Sequence, residues 1–419
     1  MKYYTKIQPW VIWFLAAAFF FCEYFARVDA GVMLDQLMQT FHASATAIGY
    51  LGAFFYYPYI VMQIPVGLLV DKYGPRRWLA AAALVSAVGS AFFAFAYVIS
   101  IAELGRFMVG LGSAFAFVSA VKLATIWFDN KRLGLLVGLT QGAGMLGAAF
   151  GTGVFSLLVM HWGWRGAMNS VALVLFVFAL LIYWLVKDKR DDSKHSSYAV
   201  DNIKHSIGYH LQLVLSSKQS WFNALYAGFL YAPTAALGEF WGVSFFHHMY
   251  SFSIQQSGLL MGAIFIGWAV GGPCMGWLSD RIMCRKPLML LSVLSSLMLL
   301  SLLFFGSHWS YHALLCLMFF YGVSNTGVAL AYAVAGELHG PSVVGMSVAF
   351  TNMASILIGA LLQPVIGLLL DHEWVGRMQH GIRMYPPAAY HDVLFILPCC
   401  LVISCIFAIF VRESYPVTK

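Results

Sequence analysis

The sequence predicts an all-α membrane protein with two bundles of six transmembrane helices, and three observations support this. The 419 residues are 61% hydrophobic and only 10% charged, with a mean hydropathy of +0.78, whereas soluble domains are about 25% charged. A membrane-spanning helix needs about 20 mostly apolar residues, and the chain contains twelve such stretches. The most polar interior stretch, residues 188–217, separates the first six from the last six.

The predicted spans use almost the whole length and leave no room for a soluble domain of ordinary size. They cover residues 9–31, 45–69, 77–98, 101–127, 133–159, 166–187, 218–247, 254–278, 287–306, 310–335, 342–370 and 388–411. The organisation is therefore an N-terminal bundle (1–187), a cytoplasmic linker (188–217) and a C-terminal bundle (218–419). The first apolar run is too long for the core of a signal peptide, so it is counted as a retained helix.

The distribution of basic residues predicts that both termini are cytoplasmic. Lys and Arg concentrate in the loops that remain on the cytoplasmic side of a membrane. With the N-terminus inside, 18 of the 24 Lys and Arg fall in inner segments, three in outer loops and three within spans. Topology thus accounts for the net charge of +7, and no nucleic-acid partner is expected. None of the seven cysteines has the C-x-x-C spacing of a metal or redox site.

Two related loops lie six spans apart, as expected for an internal repeat. The first contains a glycine, an aspartate, a second glycine and two arginines; the second lacks the second glycine. This pair resembles the loops that mark the major facilitator superfamily, and the resemblance covers essentially the whole chain. It implies a transporter that works by alternating access. The loop residues to which it assigns a conformational role are Gly67, Asp71, Gly74, Arg76, Arg77, Gly276, Asp280 and Arg281.

Two further segments agree with this resemblance. Span 5 contains many glycines, which let membrane helices approach closely: Gly138, Gly142, Gly144, Gly147, Gly151 and Gly153. The stretch from Tyr56 to Asp71 resembles the phagosomal nutrient transporters of intracellular bacteria, whose members import amino acids or nucleosides. This implies a location in the bacterial inner membrane.

Two acids within apolar spans are the leading site candidates, because an ionisable group inside a membrane is costly and marks a functional site by default. Glu23 and Arg27 are four residues apart on one helix face. Either they only neutralise each other, or Glu23 binds a proton or a substrate amine while Arg27 binds a substrate carboxylate. Glu239 has no cation within four residues; it either binds a proton or amine, or bonds to a neighbouring helix. Pro233 and Gly238 predict a bent or interrupted span 7.

Three other charged residues have open alternatives. Lys122 either extends to the membrane interface or binds an anionic substrate group. Arg106 matches an arginine that the superfamily links to proton coupling, or it forms a structural ion pair with Glu103. Glu337 is predicted to form an inner gate with Lys122 or Arg132.

Uncharged polar and aromatic residues complete the predicted substrate site. Amides within membrane helices often join one helix to another, and aromatics often pack or lie at the interface. Asn325 and Gln141 are selected because spans 10 and 5 approach the cavity in the family. Tyr56 and Tyr57 are selected because successive helix positions cannot both face lipid, and Trp241 completes the set.

We therefore expect a secondary active transporter that imports a small polar nutrient, an amino acid by preference, with the proton as coupling ion. The alternatives are an organic anion or nucleoside transporter of the same fold and, more remotely, a membrane-embedded enzyme. Only the S-x-x-K spacing of Ser119 and Lys122 favours an enzyme, without a supporting motif. No catalytic residue, cofactor or metal is expected. The expected partners are a small-molecule substrate and the lipid bilayer, and the chain is expected to be a monomer.

Overall fold

The structure, a computed structural model, describes residues 4–188, 207–306, 309–339, 343–379 and 382–414. These residues are helical almost throughout. In chain order the elements are α1 (Tyr4–Val32), α2 (Leu34–Phe41), α3 (Ala45–Tyr73), α4 (Pro75–Ala94), α5 (Ile99–Trp127), α6 (Asn130–Leu185), α7 (Ile207–Ser216), α8 (Lys218–Pro233), a π-helix (Thr234–Trp241), α9 (Gly242–Tyr250), α10 (Ile254–Ile282), α11 (Lys286–Phe305), α12 (Tyr311–Ser324), α13 (Gly327–Glu337), α14 (Val344–His372), β1 (Met378–Gln379), β2 (Ile382–Arg383), α15 (Pro387–Leu394) and α16 (Ile396–Phe410). The described residues agree with the predicted all-α fold class, and β1 and β2 form a short antiparallel ladder outside the helices.

Ten helices of the described residues are long and apolar enough to cross a membrane. One of them, α6, contains predicted spans 5 and 6 together. Its 56 residues would extend for about 84 Å at about 1.5 Å per residue, far more than a bilayer of about 30 Å. Gly163 interrupts it with a φ of 66°, a conformation that strains any residue with a side chain. The total of twelve spans, and the side on which the termini lie, stay predictions.

The chain divides into two compact units. The first comprises residues 1–43 and 50–199, and the second comprises 44–49 and 200–419. The division after residue 199 falls within the predicted linker, 188–217. Residues 189–206 of that linker lie outside the described residues, and residues 207–216 form α7.

Glycines bring the helices of the first unit close together. A Cβ at Gly147 of α6 would overlap the carbonyl oxygen of Phe21 in α1, and a Cβ at Gly151 would lie 2.7 Å from the carbonyl oxygen of Phe25. Predicted span 5 therefore uses some of its glycines for close packing, as the sequence indicated. In α5, Gly110 has the same role, because a Cβ there would overlap the carbonyl oxygen of Phe55 in α3.

In the second unit, two of the predicted spans are interrupted. Span 7 changes from α8 to the π-helix directly after Pro233 and returns to α-helix at Gly242, whose N–H donates to the carbonyl of Leu237. This confirms the interruption that the sequence predicted for span 7. Span 10 is also interrupted, between α12 and α13, at Asn325 and Thr326. The sequence pattern predicts a single helix for span 10.

Candidate functional site

The first unit contains a charged cluster of Glu23, Arg27 and Asp29 on α1 and Arg106 on α5. Each of the four side chains is at most 3% exposed. Burying a charge is costly unless it is paired or hydrogen-bonded. The hydrogen-bond and ion-pair partners of these four side chains therefore determine which ligands the cluster can bind.

Arg106 is bound by an acid and by two backbone carbonyls. Its Nη1 donates to Asp29 Oδ1 at 3.1 Å and to the carbonyl of Ala26 at 2.7 Å, and its Nη2 donates to the carbonyl of Arg27 at 3.0 Å. The sequence offered Glu103 as the acid beside Arg106; the acid that the structure places on its guanidinium is Asp29. Arg106 thus joins α5 to α1, and its predicted role in proton coupling stays a prediction.

Glu23 is bound through one of its two carboxyl oxygens. The hydroxyl of Ser113, on α5, donates to Glu23 Oε2. The other oxygen, Oε1, is buried and has no hydrogen-bond partner among the described residues. A carboxyl group in this arrangement has one oxygen that accepts a hydrogen bond and a second that can carry a proton.

Arg27 lies among four aromatic rings of α1 and α3. Its guanidinium carbon is 4.2 Å from the ring centre of Tyr24, 5.1 Å from Tyr59, 5.5 Å from Phe55 and 5.9 Å from Tyr56. A cation over an aromatic face is attracted by the ring quadrupole, the more so when water is excluded. The rings therefore help to stabilise a buried positive charge. Tyr56, a predicted site residue, is part of this arrangement.

The charges of the cluster balance only when both acids are ionised. Two guanidinium groups then face two carboxylates. A proton on Glu23 leaves Asp29 beside Arg106 and gives the cluster one net positive charge. With Glu23 protonated, one monovalent anion would restore the charge balance of the cluster.

Two other predicted residues of the first unit have different surroundings. Tyr57 is partly exposed and packs against Phe54, with ring centres 5.6 Å apart. Gln141 lies on α6, and its side-chain oxygen is buried without a hydrogen-bond partner in the described part of the chain. The structure therefore does not place Tyr57 among the rings around Arg27.

In the second unit, Glu239 lies on the π-helix and is 2% exposed. The hydroxyl of Tyr231 donates to Glu239 Oε1 at 2.5 Å. Trp241 Nε1 donates to the carbonyl of Gln363 at 3.2 Å, which anchors the end of the π-helix to α14. π-helical segments are rare and frequently occur at functional sites.

Asn325 joins the break in span 10 to span 7. Its Nδ2 donates to the carbonyl of Leu230 at 2.9 Å, and its Oδ1 accepts from the hydroxyl of Thr234 at 3.0 Å. This is the helix-joining role that the sequence analysis gave as the alternative to substrate binding.

Lys122 belongs with the loop residues and not with the charged cluster. Its Nζ lies 2.6 Å from Asp71 Oδ1, and both side chains are exposed, by 36% and 60%. The predicted role of Lys122 as a substrate contact stays a prediction. Its partner at the end of α3 lies 51 residues away along the chain, which spacing could not reveal.

The first predicted loop is held by the end of α6. The backbone N–H of Arg76 donates to Asp188 Oδ1 at 2.7 Å, and Arg76 Nη2 donates to the carbonyl of Tyr183 at 2.7 Å. Gly74 has a φ of 82°, and a Cβ there would lie 2.9 Å from the Asp188 carboxyl carbon. By contrast, a Cβ at Gly67 or Gly276 would meet nothing within 4 Å, so packing does not require glycine there. Arg77 is exposed.

The second predicted loop is organised by Arg285. This guanidinium lies 2.9 Å from Asp280 and 3.0 Å from Glu337. Burial lowers the pKa of Arg285, but hydrogen bonds to Glu337 and Asp280 outweigh that effect and the pKa is raised. The structure thus pairs Glu337 with Arg285 in its own unit, and the expected pairing with Lys122 or Arg132 stays a prediction. The gate function of Glu337 stays a prediction. Arg281 packs over Trp277 at 5.2 Å.

Three residues were missed by the sequence analysis. Asp29 was passed over although it is an acid within the first predicted span, which was itself a usable signal. Ser113 gave no signal, since a single serine in an apolar helix is unremarkable. Arg285 follows the second predicted loop in the sequence but is not among the predicted residues. Among the described residues, no group of three or more His, Cys, Asp and Glu could hold a metal ion.

Comparisons with known proteins agree on the family. A family model described as the Major Facilitator Superfamily matches residues 12–364. The chain is 25% identical over 391 residues to the "Uncharacterized transporter YybO" of Bacillus subtilis, covering 86% of this chain and 87% of that protein. It is 27% identical over 276 residues to the "Probable sulfoacetate transporter SauU" of Cupriavidus necator, covering 64% of each.

A solved structure shows the same fold. The bacterial homolog of the human lysosomal transporter Spinster, in an inward-facing and unoccupied conformation, matches with a TM-score of 0.81 at 15% identity, covering 96% of this chain and 97% of that one. The prediction that the chain is a transporter and not an enzyme is confirmed, whereas the resemblance to the phagosomal nutrient branch stays a prediction. The chain belongs to the Major Facilitator Superfamily and is a transporter with many membrane helices.

Proposed function

We propose that this transporter imports a small organic anion together with a proton, and that Arg27 is the anion contact. The observation that carries this proposal is the buried guanidinium of Arg27 among four aromatic rings. A planar guanidinium suits carboxylate, sulfonate and phosphate groups, because its N–H donors match their oxygens in pairs. Arg106 is bound to Asp29 and to two backbone carbonyls, and we assign it the structural role of joining α5 to α1.

The proton is assigned to Glu23 on the basis of its surroundings. Oε2 accepts from Ser113, and Oε1 has no hydrogen-bond partner among the described residues. Protonation at Oε1 removes the negative charge that lies four residues before Arg27, on the same face of α1. The cluster then attracts one anion, and release of the proton favours release of the anion. For a monoanion, one proton and one anion then move together without net charge, whereas a dianion moves with one net negative charge.

The similarity to a probable sulfoacetate transporter supports an anionic substrate. Sulfoacetate carries a sulfonate and a carboxylate, both of which an arginine binds well. This is a reason to prefer the organic anion over the amino acid that the sequence analysis placed first. As to location, we propose a multi-pass protein of the bacterial inner membrane with both termini in the cytoplasm, on the basis of the 18 inner and three outer basic residues.

Transport of an amino acid is the second candidate, and the position of Glu23 favours it. Glu23 and Arg27 share a helix face, so they could hold an ammonium and a carboxylate at the same time. The two candidates differ in what Glu23 must be. To bind an ammonium group, Glu23 must be ionised. To couple proton movement to anion movement, Glu23 must switch between its protonated and ionised forms.

The experiment is uptake by purified protein in liposomes, with labelled sulfoacetate or another small organic acid and, in parallel, labelled amino acids. We expect an inward proton gradient to drive accumulation of an organic acid by the wild type. Glu23→Gln should abolish this accumulation while exchange of internal for external organic acid continues, because neutral glutamine mimics the protonated state. Glu103→Gln, at a half-buried acid elsewhere on α5, serves as the control and should retain both activities.

Two results would overturn the proposal. The first is accumulation of amino acids and not of organic acids by the wild type. The second is proton-driven accumulation of the organic acid by Glu23→Gln at the wild-type level.

A further inference from the structure

A pocket of the first unit lies where α3 ends and α4 begins. Its volume is about 300 Å³, and it is lined by Tyr73, Arg77, Trp78 and Ala81. We propose that this pocket, named here the lipid pocket, binds the headgroup of an anionic phospholipid such as phosphatidylglycerol. This inference does not depend on the proposed function, because it concerns the lipid around the transporter and not the transported substrate.

The first step concerns the position of the lipid pocket along the chain. Tyr73 is the last residue of α3, and Arg77 and Trp78 belong to the first turn of α4. The whole of α4 is long and apolar enough to cross a membrane. We therefore place the lipid pocket at the level of the lipid headgroups, where tyrosine and tryptophan are enriched.

The second step concerns the positive charge of the pocket. Arg77 is exposed, and no hydrogen bond or ion pair joins its side chain to another described residue. Its guanidinium carries a fork of N–H donors that matches two oxygens of a phosphate group. The ammonium group of Lys72 lies 5.0 Å from the ring centre of Tyr73, so a second positive charge lies beside the same wall. Each basic group near a membrane surface contributes about 1 kcal/mol to the attraction of anionic lipid.

The third step concerns two acids near the pocket, which could neutralise this charge. Asp71 lies 2.6 Å from Lys122, and Asp188 accepts a hydrogen bond from the backbone N–H of Arg76. In the described part of the chain, neither acid is bound to the two basic groups of the lipid pocket. The positive charge of the pocket is therefore available to a phosphodiester.

The fourth step concerns the aromatic wall, which contacts within the protein hold in place. Trp78 stacks on the buried ring of Phe115 in α5, with ring centres 5.6 Å apart and planes 10° apart. A side chain fixed in this way loses little freedom when a ligand binds. Ala81, three residues further along α4, extends the apolar wall. A phosphate contact beside an apolar wall suits a lipid, whose acyl chain follows its headgroup, better than a soluble anion.

The test measures the affinity of detergent-purified full-length protein for individual lipids by native mass spectrometry. We expect the wild type to bind phosphatidylglycerol more tightly than phosphatidylethanolamine with the same acyl chains. Arg77→Gln changes an exposed side chain, so the protein should stay folded. It should weaken the binding of phosphatidylglycerol by about 5-fold, the loss of one basic group. A large excess of inorganic phosphate should not displace the lipid.

The control is Arg281→Gln, in the second of the two related loops. Arg281 is also exposed and lies 5.2 Å from the ring centre of an indole, Trp277, but it does not line the lipid pocket. This variant should bind phosphatidylglycerol as tightly as the wild type does.

Three results would overturn the inference. The first is equal affinity of the wild type for the two lipids. The second is an equal loss of affinity in Arg77→Gln and Arg281→Gln, or no loss in Arg77→Gln. The third is displacement of phosphatidylglycerol by inorganic phosphate, which would identify a soluble anion as the ligand.

Discussion

Replacing Asp29 by Asn should destabilise the protein severely, since it removes the acid bound to a fully buried arginine. Arg106 and Asp29 lie 3.1 Å apart and are 2% and 1% exposed. Asparagine has the same shape but no charge. It leaves the guanidinium with the carbonyls of Ala26 and Arg27 as its nearest acceptors. Removing one partner of a buried pair costs about 3–5 kcal/mol.

This cost can be converted into a shift of the melting temperature. With an unfolding entropy of about 2.1 cal/mol/K per residue, a chain of 419 residues loses about 1 °C of Tm for each 0.9 kcal/mol. Asp29→Asn should therefore lower the Tm by about 3–6 °C. The assay is thermal unfolding of detergent-purified protein, followed by intrinsic fluorescence.

Asp71→Asn is the matched control, because it makes the same chemical change in an exposed ion pair. Asp71 lies 2.6 Å from Lys122, with both side chains accessible. Such pairs contribute about 0–1 kcal/mol, so its Tm should fall by about 1 °C or less. The double variant Asp29→Asn, Arg106→Met should regain part of the loss, because no unpaired charge remains buried. Equal shifts for Asp29→Asn and Asp71→Asn would refute the reasoning, as would no shift for Asp29→Asn.

Two further predictions concern helix packing and capping. Gly147→Ala should lower the free energy of unfolding by about 1–3 kcal/mol, because the new Cβ would overlap the Phe21 carbonyl. The control is Gly142→Ala, whose Cβ would meet nothing within 4 Å and which should leave the Tm unchanged. Equal Tm values for the two variants would contradict this prediction. Glu413→Ala should speed amide hydrogen exchange in the first turn of α11 by about 2- to 30-fold, because the Glu413 carboxylate accepts hydrogen bonds from the N–H groups of Arg285 and Lys286. Hydrogen exchange followed by mass spectrometry measures this rate. An unchanged exchange rate in that turn would contradict the prediction.

The sequence predicted those features that follow from local composition. Helical spans follow from length and hydropathy, and the break in span 7 follows from Pro233 and Gly238, because proline removes a backbone donor and glycine tolerates irregular backbone. The loops of the superfamily were recognisable because they recur at a fixed separation. These features depend on neighbours in the chain, which are visible in the sequence.

Features that depend on distant neighbours could not be predicted in the same way. Glycine spacing showed where helices can approach, but not that Gly147 faces Phe21 while Gly142 faces open space. Glu23 was selected for its cost of burial, yet its partner Ser113 is 90 residues away. Which side chains meet across two helices depends on how the helices pack, and a single sequence does not reveal that packing. Asp29 is different, since the rule that selected Glu23 should have selected Asp29 as well.

The central claim is that Arg27 binds the anion, and the affinity of purified protein for an organic acid tests it most directly. Calorimetric titration would compare the wild type, Arg27→Gln and Arg165→Gln. Arg165 is the control because it also lies over an aromatic ring, Trp164 at 4.2 Å, and donates to the carbonyl of Ala96 away from the cluster. Arg27→Gln should weaken binding by about 10- to 150-fold, the loss of a charged hydrogen bond, while Arg165→Gln binds as the wild type does. Wild-type affinity in folded Arg27→Gln would contradict the account.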